Sequence, residues 1–268
     1  MFGLGAAVAG VSDQSLASPA PMIVDAHAHC GPLSSLGVRD IPFEEFLAAA
    51  DQAGISRVCI SSVTALNWDA DEGNRETWEY AKRYPDRVIG FASMPSPHLA
   101  AKGIESIERA VMDWGFRGIG ELETNVSDPI DHPGWIPLLE RASQWKTPVL
   151  VHGSPASCAA AAVRVPEALI LLAHIGTGWG AHQNEWLDAI EVARTHHNVY
   201  IETCTSIINA GSIERAVDVL GDQRLVFGTD SPLLDPSVQM AKITGAEISE
   251  ESKRKILGAN MRELLRLG

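Results

Sequence analysis

The stretch Met22-Ile-Val-Asp-Ala-His-Ala-His29 decides how this chain is read. Its apolar start predicts a β-strand, Ile23–His27, and residues two apart on a strand leave the same face. His27 and His29 therefore aim both imidazoles toward one point beyond the strand's C-terminal end, where a metal ion could take them. A doubly wound nucleotide-binding sheet would carry a Gly-rich phosphate turn at this position. His-Ala-His stands there instead. Histidines also cluster by chance, so the pair gains meaning only if later strands end in further ligands.

Outward from Met22, short β-rich runs alternate with amphipathic segments. The strands are expected at Ile23–His27, Val58–Ser62, Val88–Ala92, Gly118–Leu122, Val149–His152, Leu169–His174, Val199–Thr203 and Leu225–Gly228. Most carry consecutive apolar residues, as strands covered on both faces do. Helices are expected at Phe43–Ala53, Glu72–Arg83, Ala100–Trp114, Gly134–Gln144, Ala156–Val163, Asn184–His196 and Ile213–Leu220. Ser249–Leu267 adds one or two more, interrupted near Gly258-Ala-Asn260. Ala53-Gly54, Tyr84-Pro85 and Trp114-Gly115 supply stop signals. Eight strand–helix units without an internal linker point to a single α/β domain over residues 22–268, a (β/α)8 TIM barrel. Residues 1–21, rich in Gly, Ala and Ser and without Lys or Arg, are expected to form a flexible N-terminal extension. The end Leu16-Ala-Ser-Pro-Ala20 faintly resembles a cleavage site, but the positive start of an export signal is missing.

Composition bounds the function. With 46% hydrophobic and 21% charged residues, a large core is available. A net charge of −13 disfavours nucleic acid and acidic membrane surfaces as partners. No apolar stretch approaches membrane-spanning length. Cys30, Cys59, Cys158 and Cys204 lie far apart without CxxC spacing and read as reduced, buried thiols of a cytoplasmic protein.

In a barrel the strand C-termini converge on one mouth, the usual place of the active site. The first strand delivers His27 and His29 there. The fourth ends in Gly120-Glu121, the fifth in His152-Gly153, the sixth in His174-Ile-Gly176 and the eighth in Gly228-Thr-Asp230-Ser-Pro232. Each has a plain structural reading. His152 could simply be hydrogen-bonded, Asp230 could cap a turn, and Glu121 could pair with Arg117. Five strands supplying nitrogen and oxygen donors to one mouth favour a metal centre over five separate coincidences.

The set Asp25-x-His27-x-His29, Glu121, His152-Gly, Leu-Ala-His174-Ile-Gly and Gly-Thr-Asp230-Ser-Pro resembles the amidohydrolase superfamily of metal-dependent hydrolases. It is most similar to the amidohydrolase-related branch, which also holds metal-dependent decarboxylases, and Glu121 adds a TatD-like metal-ligand pattern. The resemblance covers residues 22–268. It implies a divalent metal, foremost Zn²⁺, with Mn²⁺, Fe²⁺ or Ni²⁺ as alternatives. In one arrangement His27, His29 and Asp230 hold one ion, and His152 and His174 hold a second with Glu121 bridging. In the other a single ion takes His152 as well, and His174 stays free to polarise substrate or orient water. Asp230 and His174 are the expected catalytic groups, while Asp25 supports the site from behind. Substrate contacts are expected from Trp68, Asn125, Trp179 and Ser231, and Gly176-Thr-Gly-Trp-Gly180 is the loop expected to move.

Hydrolysis of a small ester, amide, lactone or phosphoester is the first functional reading. Non-oxidative decarboxylation is the alternative, favoured if Glu121 binds no metal, and a purely metal-binding role is disfavoured because no ligand or base is missing. A small molecule is the expected partner. Barrels of this type often self-associate, but no residue pattern fixes an oligomeric state.

Overall fold

Parallel pairing in strict sequence order gives the molecule its shape: eight strands, each hydrogen-bonded to the next, run in the order β1 to β8. The computed structural model describes residues 22–177, 184–207 and 209–267. The expected extension 1–21 and the loop residues 178–183, including Trp179, lie outside the described residues. The strands are β1 (Val24–Cys30), β2 (Arg57–Ser62), β3 (Val88–Ala92), β4 (Gly118–Glu123), β5 (Val149–His152), β6 (Ile170–Leu172), β7 (Val199–Glu202) and β8 (Leu225–Val226). Between β1 and the segment after β8, Ala26 N–H donates to Phe227 O (2.9 Å) and His29 N–H to Ser231 O (2.8 Å), which brings the ring to near closure. This is a single (β/α)8 barrel, as the alternation of strand and helix signals implied.

The helices are α1 (Phe43–Gln52), α2 (Val63–Asn67), α3 (Ala70–Arg83), α4 (Ala100–Met112), α5 (Ile136–Trp145), α6 (Pro155–Arg164), α7 (Glu185–Thr195), α8 (Ser212–Leu220), α9 (Pro236–Thr244), α10 (Glu250–Arg254) and α11 (Asn260–Leu264). Side chains of Asp69, Ser154, Asp235 and Ser249 accept the free N–H groups at the starts of α3, α6, α9 and α10. Helices α2 and α9 are additions to the reading. Asp235 followed by Pro236 is the start signal that marks α9. The expected C-terminal interruption is a widened helical turn, Lys255–Ala259, between α10 and α11. A Cβ on Gly258 would collide with the carbonyl oxygen of Met22, so glycine there lets the helix pass close under the lead-in to β1.

Alternation divides the strands between two apolar layers. Val58, Ile60, Val88, Val149, Val151, Ile170 and Leu172 pack in the large cluster with the helices. The intervening residues Cys59, Ile89, Phe91, Leu150, Leu171 and Val226 form a second cluster, which continues to Met261 and Leu265. Two residues further along this second series stand Ser61, Ser93 and His152. The period-two rule that fills the barrel with apolar side chains thus delivers polar ones at its mouth.

Candidate metal centre

Six expected donors meet at that mouth. From β1, His27 and His29 bring their Nε2 atoms within 3.1 Å of each other. Asp230 Oδ1 lies 3.2 Å from His29 Nε2 and 3.7 Å from His27 Nε2. On the other side, Glu121 Oε1 is 3.2 Å from His174 Nε2 and 3.4 Å from His152 Nδ1. Glu121 also reaches the first group: Oε1 is 3.4 Å from His27 Nε2 and Oε2 is 3.5 Å from His29 Nε2. Two donor triads result, His27–His29–Asp230 and Glu121–His152–His174.

Local backbone explains how short strands achieve this. Strand β6 stops at Leu172 because His174 and Ile175 turn into the left-handed region, with φ +58° and +51°. Asp230 does the same at φ +56°. Such conformations cost roughly 1–3 kcal/mol each and persist where surrounding contacts over-determine them. At His174 the contacts are a backbone N–H to Glu202 Oε2 (3.1 Å) and Thr177 Oγ1–H and N–H to His174 O (2.6 and 2.9 Å). At Asp230 the backbone N–H donates to His27 O at 2.7 Å.

Electrostatics favours positive charge at the mouth. Burial works against ionising Glu121, but the imidazoles of His27, His152 and His174 outweigh it and hold its carboxyl well below the usual carboxylate range. Burial likewise opposes ionisation of Asp230, and His29, His27 and His174 overcome it. His27 is the converse: desolvation opposes its charged form, yet Glu121 and Cys204 drive its pKa well above the ordinary histidine value. Ionised carboxylates thus draw positive charge into a largely buried pocket. Bonds of about 2.0–2.2 Å at roughly 90–110° would separate neighbouring donors by roughly 2.8–3.5 Å. All but the 3.7 Å His27–Asp230 contact fall within that range, so the residues fit a divalent ion.

Above the donors lies a cavity of about 350 Å³ walled by Leu36, Val38, Leu66, Ile207, Leu233 and Leu234. Its lining, among the described residues, holds Glu123 but no Lys or Arg. A larger cleft of about 620 Å³ opens near the N-terminal ends of β2 to β4, among Arg57, Lys82, Arg117 and Arg266. It contains none of the donors, so size alone does not mark the chemistry.

The expected substrate contacts fare differently. Trp68 is 53% exposed and stands apart from the cavity lining. Asn125 uses its Oδ1 to accept N–H groups of Ser127 and Asp128, which shapes its own loop. Ser231 is buried, and its hydroxyl donates to Leu234 O. Trp179 lies outside the described residues. The cavity instead draws on apolar residues of the loops, which carry no local chemical signal.

Sequence reasoning also passed over Glu202 and Cys204. Both are fully buried, and Cys204, a reduced, buried thiol as expected, packs against His27 and His174 of the two donor triads. Glu202 Oε2 lies 3.2 Å from His27 Nδ1, and Cys204 Sγ 3.2 Å from His174 Nδ1. A carboxylate closing the apolar run Val199-Tyr-Ile-Glu202 was the available signal. Ser61 adds a contact to His29 Nδ1 (3.3 Å) and accepts the Glu121 N–H (3.2 Å).

A parallel barrel whose mouth gathers histidines and carboxylates from five strands belongs to the class of metal-dependent barrel enzymes. Residues 24–267 match the family model described as amidohydrolase, and the chain belongs to that family as an enzyme of the amidohydrolase superfamily. Among solved structures it is similar to a 2,6-dihydroxybenzoate decarboxylase from Rhizobium, with TM-score 0.71 and 20% identity over 92% of this chain and 99% of the other. It is similar also to a putative amidohydrolase from Staphylococcus aureus, with TM-score 0.75 and 14% identity over 92% and 100%. A third is a dihydroxybenzoic acid decarboxylase from Polaromonas sp. with bound manganese and 2-nitroresorcinol, with TM-score 0.70 and 19% identity over 92% and 97%. These likenesses speak to the fold. No curated protein matches the chain. Among the described residues no helix is long and apolar enough to cross a membrane.

Proposed function

We propose that this enzyme is a metal-dependent hydrolase of a small, largely apolar ester, amide, lactone or phosphoester. The observation that carries the reading is the position of Glu121, whose two oxygens lie within 3.2–3.5 Å of His27, His29, His152 and His174 together. A carboxylate so placed can serve both triads. His27, His29 and Asp230 would hold one ion and His152, His174 and Glu121 a second, with Zn²⁺ the favoured ion and Mn²⁺, Fe²⁺ or Ni²⁺ the alternatives. When bound, the metal lowers the pKa of a water from about 16 to about 7 and polarises the oxygen of the scissile group. Asp230 is held ionised at the cavity floor, where its carboxylate takes the proton of the attacking water and passes it to the leaving group. His174 faces the same floor and, where a single ion takes His152 instead, would be free to orient the reacting oxygen. The leucine and valine walls hold the organic part of the substrate and exclude bulk water. Four buried, unpaired thiols fit a cytoplasmic setting.

One observation favours a second reading, decarboxylation of a small aromatic acid. The apolar walls, without Lys or Arg among the described residues, suit a flat ring, and the fold is shared with dihydroxybenzoate decarboxylases. Metal analysis and a panel of esters, lactones, phosphodiesters and hydroxybenzoic acids separate the two. Two equivalents of metal with hydrolysis are expected. Carbon dioxide release without hydrolysis establishes the second reading. Less than about half an equivalent of any transition metal, with no activity on adding Zn²⁺ or Mn²⁺, overturns both.

A further inference from the structure

Strand β7 contributes no donor to either triad, yet it ends in a carboxylate with no access to solvent. No Lys or Arg among the described residues forms an ion pair with Glu202, and burying an unpaired carboxylate is costly unless hydrogen bonds hold it. Four contacts do so. Oε1 accepts the Cys204 N–H at 2.6 Å. Oε2 takes the His174 N–H at 3.1 Å, the Cys204 thiol at 3.1 Å and His27 Nδ1 at 3.2 Å.

We propose that Glu202 and Cys204 are a pair of positioning residues that fix the ring orientation and tautomer of His27 and His174, one imidazole in each donor triad. The inference rests on the metal reading above and follows from counting hydrogens. A carboxylate can only accept, so the His27 Nδ1 beside it carries the proton. The neutral ring's lone pair is then on Nε2, the atom 3.1 Å from His29 Nε2 and 3.4 Å from Glu121. The thiol has a single hydrogen, and the carboxylate claims it. The sulfur lone pairs are left facing His174 Nδ1 at 3.2 Å, while His27 Nδ1 is further away at 3.5 Å. His174 therefore also keeps its hydrogen on Nδ1 and presents its Nε2 lone pair toward Glu121 Oε1, 3.2 Å away. The His174 N–H bond to the same carboxylate holds the left-handed turn that aims the ring. One buried group thereby sets both triads. Groups behind a ligand that fix its tautomer commonly change metal affinity 10–100-fold when replaced.

The test compares Glu202→Gln, Cys204→Ala and Cys204→Ser with the wild type. Zinc affinity is read by chelator competition, and the ring N–H protons by ¹H–¹⁵N NMR of zinc-loaded and metal-free protein. Nδ1 protons are expected on His27 and His174 in the wild type. Zinc binding should weaken about 10–100-fold in Glu202→Gln and in Cys204→Ala. Cys204→Ser should recover most of the loss, because a hydroxyl also donates to Glu202 and accepts from His174. A merely structural role would lower the melting temperature of Cys204→Ala without separating it from Cys204→Ser in zinc affinity. The proposal is overturned if either ring lacks its Nδ1 proton in the wild type, or if both Glu202→Gln and Cys204→Ala bind zinc as the wild type does. It is overturned equally if Cys204→Ser loses a whole equivalent of metal, since the four groups would then be ligands themselves. A wild type that takes up no zinc, manganese, iron or nickel but keeps both Nδ1 protons refutes the hydrolase reading and supports the pair.

Discussion

Asp25 ties the first strand to the segment after the last, and replacing it tests how the barrel is closed under the metal centre. Its Oδ1 accepts the backbone N–H groups of His27 (3.0 Å) and Thr229 (2.9 Å), and its Oδ2 accepts the Thr229 hydroxyl (2.5 Å). Asp25→Ala removes all three acceptor contacts in a place closed to water. The hydroxyl can turn to His27 O at 3.5 Å and the Thr229 N–H keeps its bond to the same carbonyl at 3.3 Å, which leaves the His27 N–H orphaned. At about 1–3 kcal/mol for an orphaned group, the loss is about 2 kcal/mol. For a barrel of this size that lowers the melting temperature by about 4–8 °C. Asp25→Asn keeps the acceptor oxygen, and its amide can donate to the Thr229 oxygen. Burial has already raised the Asp25 pKa from 3.8 to about 7, so near neutrality the uncharged form costs little. Asn should therefore stay within about 1 kcal/mol of the wild type. The raised pKa also fixes the sign of the pH dependence. The folded state binds this proton more tightly than the unfolded one, so the contribution is full below about pH 4 and is lost as pH rises through 7. Thermal scans of chelator-treated wild type and both variants from pH 4 to pH 8 measure this. If Asn is as damaging as Ala, or Ala is within about 3 °C of wild type, the closure argument is wrong.

Three further outcomes follow from the geometry. Chelation should lower the melting temperature by about 5–10 °C relative to protein held near 100 times its metal dissociation constant, because that binding contributes about 2.7 kcal/mol; calorimetry showing no shift would count against the metal centre. Gly228→Ala places a methyl against the Glu202 carboxyl and 2.9 Å from His27 Cβ, and should weaken zinc binding at least about tenfold in chelator competition. All four cysteines are buried, and burial pushes the Cys158 thiol up to about 12, so a colorimetric thiol reagent should find no reactive cysteine in the native protein and four after denaturation.

The barrel was legible because two signals alternate along the chain: a short apolar run for each strand, and amphipathic segments between them, several with a stop residue. The donors were legible because chemistry-bearing residues closed those runs at His29, Glu121, His152, His174 and Asp230. Boundaries failed where tertiary contacts override local preference. Strand β6 was expected to reach His174 but ends at Leu172, since the left-handed pair His174–Ile175 is held by Glu202 and Thr177. Strand β1 runs on to Cys30 because its last residues pair with Ile60, Ser61 and Ser62 of β2, and His29 N–H also bonds to Ser231, far away in sequence. The cavity lining was least legible, because walls of Leu36, Leu66 and Leu234 look like any core residue. The place of Cys204 beside the donors was illegible for a related reason. A lone buried cysteine is ordinary, and only its distances to Glu202 and His174 distinguish it.

Three of the five non-glycine residues with positive φ, among those described, belong to this mouth: His174, Ile175 and Asp230. Their conformations cost free energy locally, and besides the neighbouring Thr177 the contacts that hold His174 and Asp230 come from β7 and β1. His174 is fixed by Glu202, and Asp230 by the carbonyl of His27, the residue whose ring Glu202 also touches. A change at Glu202 should then reach Asp230 through His27, whereas a change at Asp230 leaves the Glu202–His174 bond in place. The dependence runs from the buried carboxylate outward to the cavity floor. The order in which variants lose donor geometry should follow it, with Glu202 affecting both triads and Asp230 only its own.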